Sequence, residues 1–313
     1  MRKLIWLFLA APLSVQAATL IYTNDVLGEI DPCGCRVNPY GGMLRKAGLI
    51  DSLKKKGEKD FLQIDAGDLL FDSREIPDSM AKIAQLQAEK LLKAHELLGH
   101  QVGVPGEKDF ALGVPTFQKL IKKTKIKFLG ANLEYNGKSF LDPSAHFEFE
   151  LPDHKKLKIA VLGILGEDLV LPAGLIAQPT LPIVKKWVEE NRKDFDLLIV
   201  VSHQGLEKDQ TLATAVNGID IIVGAHSQSF LQAPEVMGKT QILQSSFRNQ
   251  YVGVMGLNPG VFPTQHELVG LEEKFETKPL GPLTLKMKKL ISDFKIELKK
   301  LKARNPYVTY FRN

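Results

Sequence analysis

The chain has 313 residues, with 41 Lys and Arg against 36 Asp and Glu, and only two cysteines. The near balance of charge excludes the concentrated basic face that nucleic-acid binding needs. Two cysteines exclude a scaffold built on disulfides, and the length suits one large α/β domain with an extension.

The N-terminus runs from Arg2 and Lys3 through an apolar stretch, Leu4 to Leu13, to Val15-Gln16-Ala17. That order predicts a secretory signal over residues 1–17, cleaved after Ala17. The apolar run is too short to cross a bilayer as a helix, and no cysteine stands at the cleavage point to accept a lipid. The expected location is therefore exported, periplasmic or extracellular, with no transmembrane helix in the mature chain. Without Arg2 and Lys3 the basic excess is only three.

Short Val/Ile/Leu-rich runs predict strands at Leu20–Thr23, Phe61–Asp65, Gln101–Val104, Lys127–Leu129, Ile159–Ile164, Leu197–Ser202, Ile219–Val223, Thr240–Gln244 and Tyr251–Leu257. Amphipathic stretches predict helices at Gly42–Lys55, Ser79–Leu98, Val114–Lys123, Leu181–Lys193 and Asp209–Val216. Phe147 and Phe149 alternate with acidic residues, so Asn136–Lys156 reads as a hairpin-like insertion. From Gly281, Leu283, Met287, Leu290, Phe294, Leu298 and Leu301 recur at helical spacing among lysines, up to Asn305-Pro306. Such a helix either docks on its own domain or offers a lysine face to a partner. The first is the more ordinary arrangement.

Five polar blocks fall just past predicted strands: Thr23-Asn24-Asp25-Val26-Leu27-Gly28, Gly67-Asp68, Gly106-Glu107-Lys108-Asp109, Ser202-His203-Gln204-Gly205 and Gly224-Ala225-His226-Ser227-Gln228. Ligands of open α/β sheets sit beyond such strand ends. Carboxylates and imidazoles gathered there are the donors of a divalent-metal centre.

The blocks resemble those of the calcineurin-like metallophosphoesterase superfamily, most closely its periplasmic 5′-nucleotidase-like branch, from about Leu20 to Gly256. The resemblance implies a four-layer α/β/β/α sandwich of two mixed sheets, acting on a small phosphorylated substrate. It implies that Asp68, Glu107, His203 and His226 hold one divalent ion (Mn, Zn or Fe), while Asp25, Asp68 and Gln228 flank a second. Three family positions are altered. Leu27 stands in place of a ligating histidine, Gln228 in place of another, and Lys108 in place of a proton-donating histidine. The expectation is one serviceable ion site and one crippled one, with Asp25 assisting and Lys108 steadying a phosphate as a fixed cation.

Pro32-Cys33-Gly34-Cys35, followed by Gly41, Gly42, Arg45, Lys46 and Ala47, is similar to a pattern in a bacterial subgroup of exported nucleotidase-like proteins. Cys33 and Cys35 can staple their loop, add soft ligands, or carry thiol-redox chemistry. The expected organisation is a signal over 1–17, a metallophosphoesterase-like domain over 18–280, and a helix with tail over 281–313. The expected function is a divergent phosphoester hydrolase. The alternative is a non-catalytic binding or redox protein on the same scaffold.

Overall fold

A computed structural model describes residues 18–32, 39–151, 154–258 and 265–303. The signal segment, Cys33, Cys35 and Asn305-Pro306 lie outside the described residues.

In chain order the elements are β1 Ala18–Thr23, α1 Met43–Lys55, β2 Phe61–Asp65, α2 Asp78–Leu98, β3 Val102–Gly103, α3 Val114–Ile121, β4 Lys127–Phe128, β5 Leu133–Tyr135, β6 Lys138–Ser139, β7 Ser144–Glu150 and β8 Lys156–Leu165. They continue with β9 Leu175–Ala177, α4 Thr180–Asn191, β10 Leu197–His203, α5 Leu206–Ala215, β11 Ile221–Gly224, β12 Glu235–Met237, β13 Thr240–Leu243, β14 Tyr251–Leu257, β15 His266–Gly270 and α6 Pro282–Ala303.

Two six-stranded sheets result, ordered β15-β14-β1-β2-β3-β4 and β12-β13-β11-β10-β8-β7. Both are mixed. β1 pairs parallel with β2 and antiparallel with β14. β10 lies parallel to β8 and β11, while β7 closes its edge antiparallel to β8.

The alternation of side chains along each strand divides the apolar residues among three interfaces. Leu20, Tyr22, Leu62 and Ile64 of the first sheet meet Ile159, Val161, Ile199 and Val201 of the second, forming the core between the sheets. Ile21 turns the other way, onto a cluster with Ile50, Leu91, Phe117 and Met287 from the covering helices. Leu162, Val200 and Ile222 likewise face Val184 and Leu212. Each central strand is covered on both faces, which is why it reads as a continuous apolar run. The architecture is the four-layer α/β/β/α sandwich.

Three expectations need correction. Asn136–Lys156 makes hairpin pairings, as expected, but within the sheets and not as an insertion. Its first part joins a small sheet, β6-β5-β9, and β7 is an edge strand of the second large sheet. Phe147 and Phe149 pair with Ile159 and Leu157 and pack on the core between the sheets. The helix expected at Asp209 starts earlier, at Leu206, because Gly205 (φ +94°) breaks the chain direction and accepts from the Asp209 amide at 3.1 Å. β12 and β15 were not foreseen. β12 has three residues, too few to show a period, and β15 is polar on its exposed side.

α6 docks on its own domain. Met287, Ile291 and Phe294 are buried in the same cluster as α1 and α2, and Lys90 reaches Glu297 at 2.5 Å. No described helix is long and apolar enough to cross a membrane.

Candidate metal centre

Every polar block lands where a strand leaves a sheet. Asp25 follows β1, Asp68 follows β2, and Glu107 opens a 3-10 turn (Glu107–Phe110) after β3. His203 is the last residue of β10, and His226 follows β11. The first sheet therefore supplies the carboxylates and the second the imidazoles.

The exits of β1 and β2 are laced together beyond their ladder. The amides of Ala66, Asp25, Leu27 and Gly28 donate to the carbonyls of Thr23, Gly67, Asp68 and Leu69 at 2.8–3.0 Å. Asp25 (φ +48°), Asp68 (φ +53°), His226 (φ +70°) and Gln228 (φ +54°) all adopt left-handed backbone. Such torsions cost on the order of 1 kcal/mol or more each for side-chain-bearing residues and persist where the surroundings over-determine them.

Two overlapping donor groups form. Glu107, His203 and His226 bring ligand atoms within 4.8 Å of one another, and so do Asp25, Asp68 and His203. His203 Nε2 lies 3.1 Å from Glu107 Oε2 and 3.7 Å from Asp68 Oδ1. His226 Nδ1 lies 3.5 Å from the same Glu107 oxygen. Donor atoms sharing one cation at bonds of roughly 2.0–2.2 Å stand about this far apart.

Three details fit a divalent cation. His203 Nδ1 bonds the Ala66 carbonyl at 2.8 Å, so the proton belongs there and Nε2 is left to ligate. His226 Nδ1 and Asp25 Oδ1 are buried with no hydrogen-bond partner. Orphaned polar atoms of that kind call for an ion or water. Finally, Asp25 Oδ2 is held by Asn24 Nδ2 at 2.8 Å and by the His226 amide at 3.1 Å, which aims the other oxygen inward.

Two motif glycines are required by close approach. A Cβ on Gly67 would meet His203 Nδ1 at 2.5 Å, and one on Gly106 would meet Asp68 Oδ1 at 2.1 Å. Backbone thus packs directly against both side chains.

Lys108 sits inside this arrangement. Its amide donates to Asp68 Oδ1 at 2.9 Å, and its ammonium bonds Asp68 Oδ2 and stands 3.4 Å from Glu107 Oε1. Leu27 is buried and offers no donor, and Gln228 is half-buried. The centre opens to solvent beside His226, whose side chain is 36% exposed.

The charges are mutually dependent. Burial alone pushes the His203 imidazole down, but the carboxylates of Asp68, Glu107 and Asp25 outweigh it and hold it at about 10. Burial pushes Glu107 up, yet the His203 and His226 imidazoles beside it bring it well below the usual carboxylate range. Asp25 is raised, chiefly by burial. Burial lowers Lys108, but Asp68 and Glu107 more than compensate, so its ammonium is raised and stays charged. A cation entering here displaces the His203 proton, because both are held by the same carboxylates.

Several supporting residues were not picked out in the sequence. Asn24 accepts from the Ser245 amide at 2.6 Å and hydroxyl at 2.8 Å, tying the β1 exit to the turn before β14. Asp209 accepts from Ser202 at 2.6 Å and Gln204 at 2.9 Å, on either side of His203. Asp109 ties the Leu70 and Gly106 amides at 2.7 and 2.8 Å. Only its place within the third block hinted at it.

No protein-family profile matches the chain. Among curated proteins it is 25% identical over 241 residues to a snake venom 5′-nucleotidase of Gloydius brevicauda, covering 71% of this chain and 39% of that protein. It is 27% identical over 212 residues to a 2′,3′-cyclic-nucleotide 2′-phosphodiesterase/3′-nucleotidase of Yersinia enterocolitica, covering 60% and 32%. The 5′-nucleotidase precursor of Thermus thermophilus superposes with a TM-score of 0.74 at 18% identity, covering 90% of this chain and 59% of that one. The chain is thus similar in sequence to 5′-nucleotidases and related phosphoesterases and shares the fold of a 5′-nucleotidase. The calcineurin-like phosphoesterase YfkN of Bacillus subtilis also matches, with a TM-score of 0.69 at 16% identity, covering 91% and 98%. The chain spans well under half the length of the curated relatives it matches.

Proposed function

We propose that the chain is an exported, metal-dependent phosphoester hydrolase acting on small, nucleotide-like phosphorylated substrates, with one divalent ion (Mn, Zn or Fe) tightly held. The observation that carries this is the meeting of Glu107, His203 and His226 around orphaned buried donor atoms, with Asp68 Oδ1 at 3.7 Å from His203 Nε2. When bound, the ion supplies charge to a phosphate oxygen and acidity to a water.

The chain's own residues divide the remaining work. His203 is locked by Ala66 with Nε2 facing the carboxylates. Glu107 holds both imidazoles in one geometry. Asp25 presents an unpartnered oxygen to the same space and assists as ligand or hydrogen-bond acceptor. Lys108, kept charged by Asp68 and Glu107, can bind a phosphate oxygen as a fixed cation. It is a poor proton donor for a leaving alkoxide near neutral pH. Turnover is accordingly weak.

The organisation we propose is a signal over 1–17, the domain over 18–280, and a terminal helix and tail over 281–313. Export rests on the charged, apolar, small-residue order of the N-terminus, and a mature protein beginning at Ala18 by mass spectrometry checks it. The central test is metal content after dialysis together with turnover of an aryl phosphate in manganese. One retained equivalent, lost with activity in His203→Ala, is the expected result. A protein that retains no metal and cleaves no phosphoester would overturn the reading.

A further inference from the structure

The Gly41-Gly42-x-x-Arg45-Lys46-Ala47 segment has no part in the metal centre, yet one of its residues is a lysine with 0% exposure. Lys46 projects from α1 to the underside of the first sheet, on the face opposite the core between the sheets. There Nζ donates to Thr23 Oγ1 at 3.2 Å, and the Thr23 hydroxyl donates to Asp65 Oδ2 at 2.8 Å. The other oxygen, Asp65 Oδ1, accepts from the Gly67 amide at 3.1 Å.

Thr23 and Asp65 are cross-strand partners and the last residues of β1 and β2. Beyond them the chains run into Asp25 and Asp68. One buried amine therefore reaches both exits at the point where their regular ladder stops. Through Asp65 it also reaches Gly67, whose glycine backbone (φ +102°) lies against His203.

A buried lysine and carboxyl joined through a hydroxyl are poor value as a stabiliser, since apolar side chains of similar volume do as well or better. Their stronger use is to specify one geometry. The surroundings agree. His95 and His100, packed edge to face with ring centroids 4.3 Å apart, are held neutral by burial and by the Lys46 charge. The start of α1 is anchored as well: Arg45 binds Glu276 at 2.5 Å and the Leu271 carbonyl at 3.2 Å. Lys46 is thus a strut with a fixed foot.

The geometry points to Lys46 as a positioning residue for the metal centre: through Thr23 and Asp65 it fixes the spacing of the two strand exits that carry Asp25 and Asp68. The metal part of this inference rests on the function proposed above; the positioning part does not.

Both parts are tested on the full mature chain with three variants. Lys46→Met keeps the length and removes the ammonium. Thr23→Val removes the hydroxyl bridge and leaves the Lys46 amine and the Asp65 carboxyl in place. Leu212→Ala, in the outer core of the second sheet, is a control for simple destabilisation. Amide hydrogen exchange at residues 25–28 and 67–70 is measured in metal-free protein, and Mn²⁺ affinity by calorimetry. In Lys46→Met, exchange at both segments quickens by about ten-fold or more, and Mn²⁺ binding weakens by about ten-fold. Thr23→Val shifts both in the same direction by less. Leu212→Ala lowers the melting temperature and moves neither.

Unchanged exchange at both segments in folded Lys46→Met overturns the strut. So does Mn²⁺ affinity within about two-fold of wild type, given the ten-fold loss expected when such supports are removed. If Lys46→Met does not fold, Thr23→Val and the charge-free pair Lys46→Met with Asp65→Asn decide by the same criteria. If the wild type binds no Mn²⁺, the hydrolase reading fails, and the exchange measurement alone upholds or overturns the strut.

Discussion

The α-carbon of Gly106 faces the Asp68 carboxylate so closely that a methyl group on it would lie 2.1 Å from Oδ1. No side chain fits there without moving either Asp68 or the turn that carries Glu107 and Lys108. Gly106→Ala should therefore fold yet weaken Mn²⁺ binding by about ten- to a hundred-fold, the range for displaced metal-site supports. Calorimetric titration against wild type checks this, and unchanged affinity would show that Asp68 is not a ligand.

Lys108→Met removes a fixed cation from Asp68 while leaving the amide bond to its other oxygen in place. Losing one preorganised charge from a phosphate site costs roughly a hundred-fold in turnover. The expected result is a lower kcat/KM on an aryl phosphate with retained metal. Leu27→His, Lys108→His and Gln228→His together should raise both turnover and metal content, toward about two equivalents, since an imidazole is a far better ligand than a buried alkyl group or a neutral amide. Elemental analysis separates this outcome from a change in rate alone.

Burial pushes the Asp209 carboxyl up to about 7, although Ser202 and Gln204 both donate to it. The folded protein therefore binds this proton more tightly than the unfolded chain, where a carboxyl titrates near ~3.9. The stability it contributes is fully present below that lower value and is lost as pH rises toward 7. Asp209→Asn keeps an acceptor for Ser202 and Gln204 and removes the titration. Its melting temperature, measured across that pH range, should fall less steeply than that of wild type.

Phe294 of α6 is 4% exposed and packs in the same cluster as Leu91 and Ile50. Phe294→Ala should cost about 3–5 kcal/mol, the usual range for emptying a buried aromatic site. Chemical denaturation measures it. A loss below about 1 kcal/mol, the scale of a surface change, would mean that α6 is not part of the domain's core.

Much of this fold could be read directly. β1, β2, β10 and β14 are mainly apolar because both faces are covered, and the glycines of the polar blocks mark where each strand ends. The candidate site residues follow from that, since Asp25, Asp68, Glu107, His203 and His226 each sit at or a few residues past the end of a strand. What stayed hidden depends on neighbours distant in sequence. Nothing local distinguishes Lys46 from the solvated Lys54 and Lys55 of the same helix; only the approach of Thr23 and Asp65 makes it a buried residue. Asp209 looks like a helix-starting residue and in fact supports Ser202 and Gln204. β7 was hidden because its outward acidic residues disguise two aromatic side chains that point into the core.

The division of donors between the sheets gives the centre a mechanical meaning. Oxygen donors come from one sheet and nitrogen donors from the other, so an ion held by Glu107, His203 and His226 is bonded to both halves of the sandwich. Such an ion would act as a rivet across the seam. Withdrawing it with a chelator should loosen the two halves against each other, and resistance to proteolysis should climb and fall with metal concentration. Neither half alone carries the full donor set, so any fluctuation that parts the sheets releases the ion.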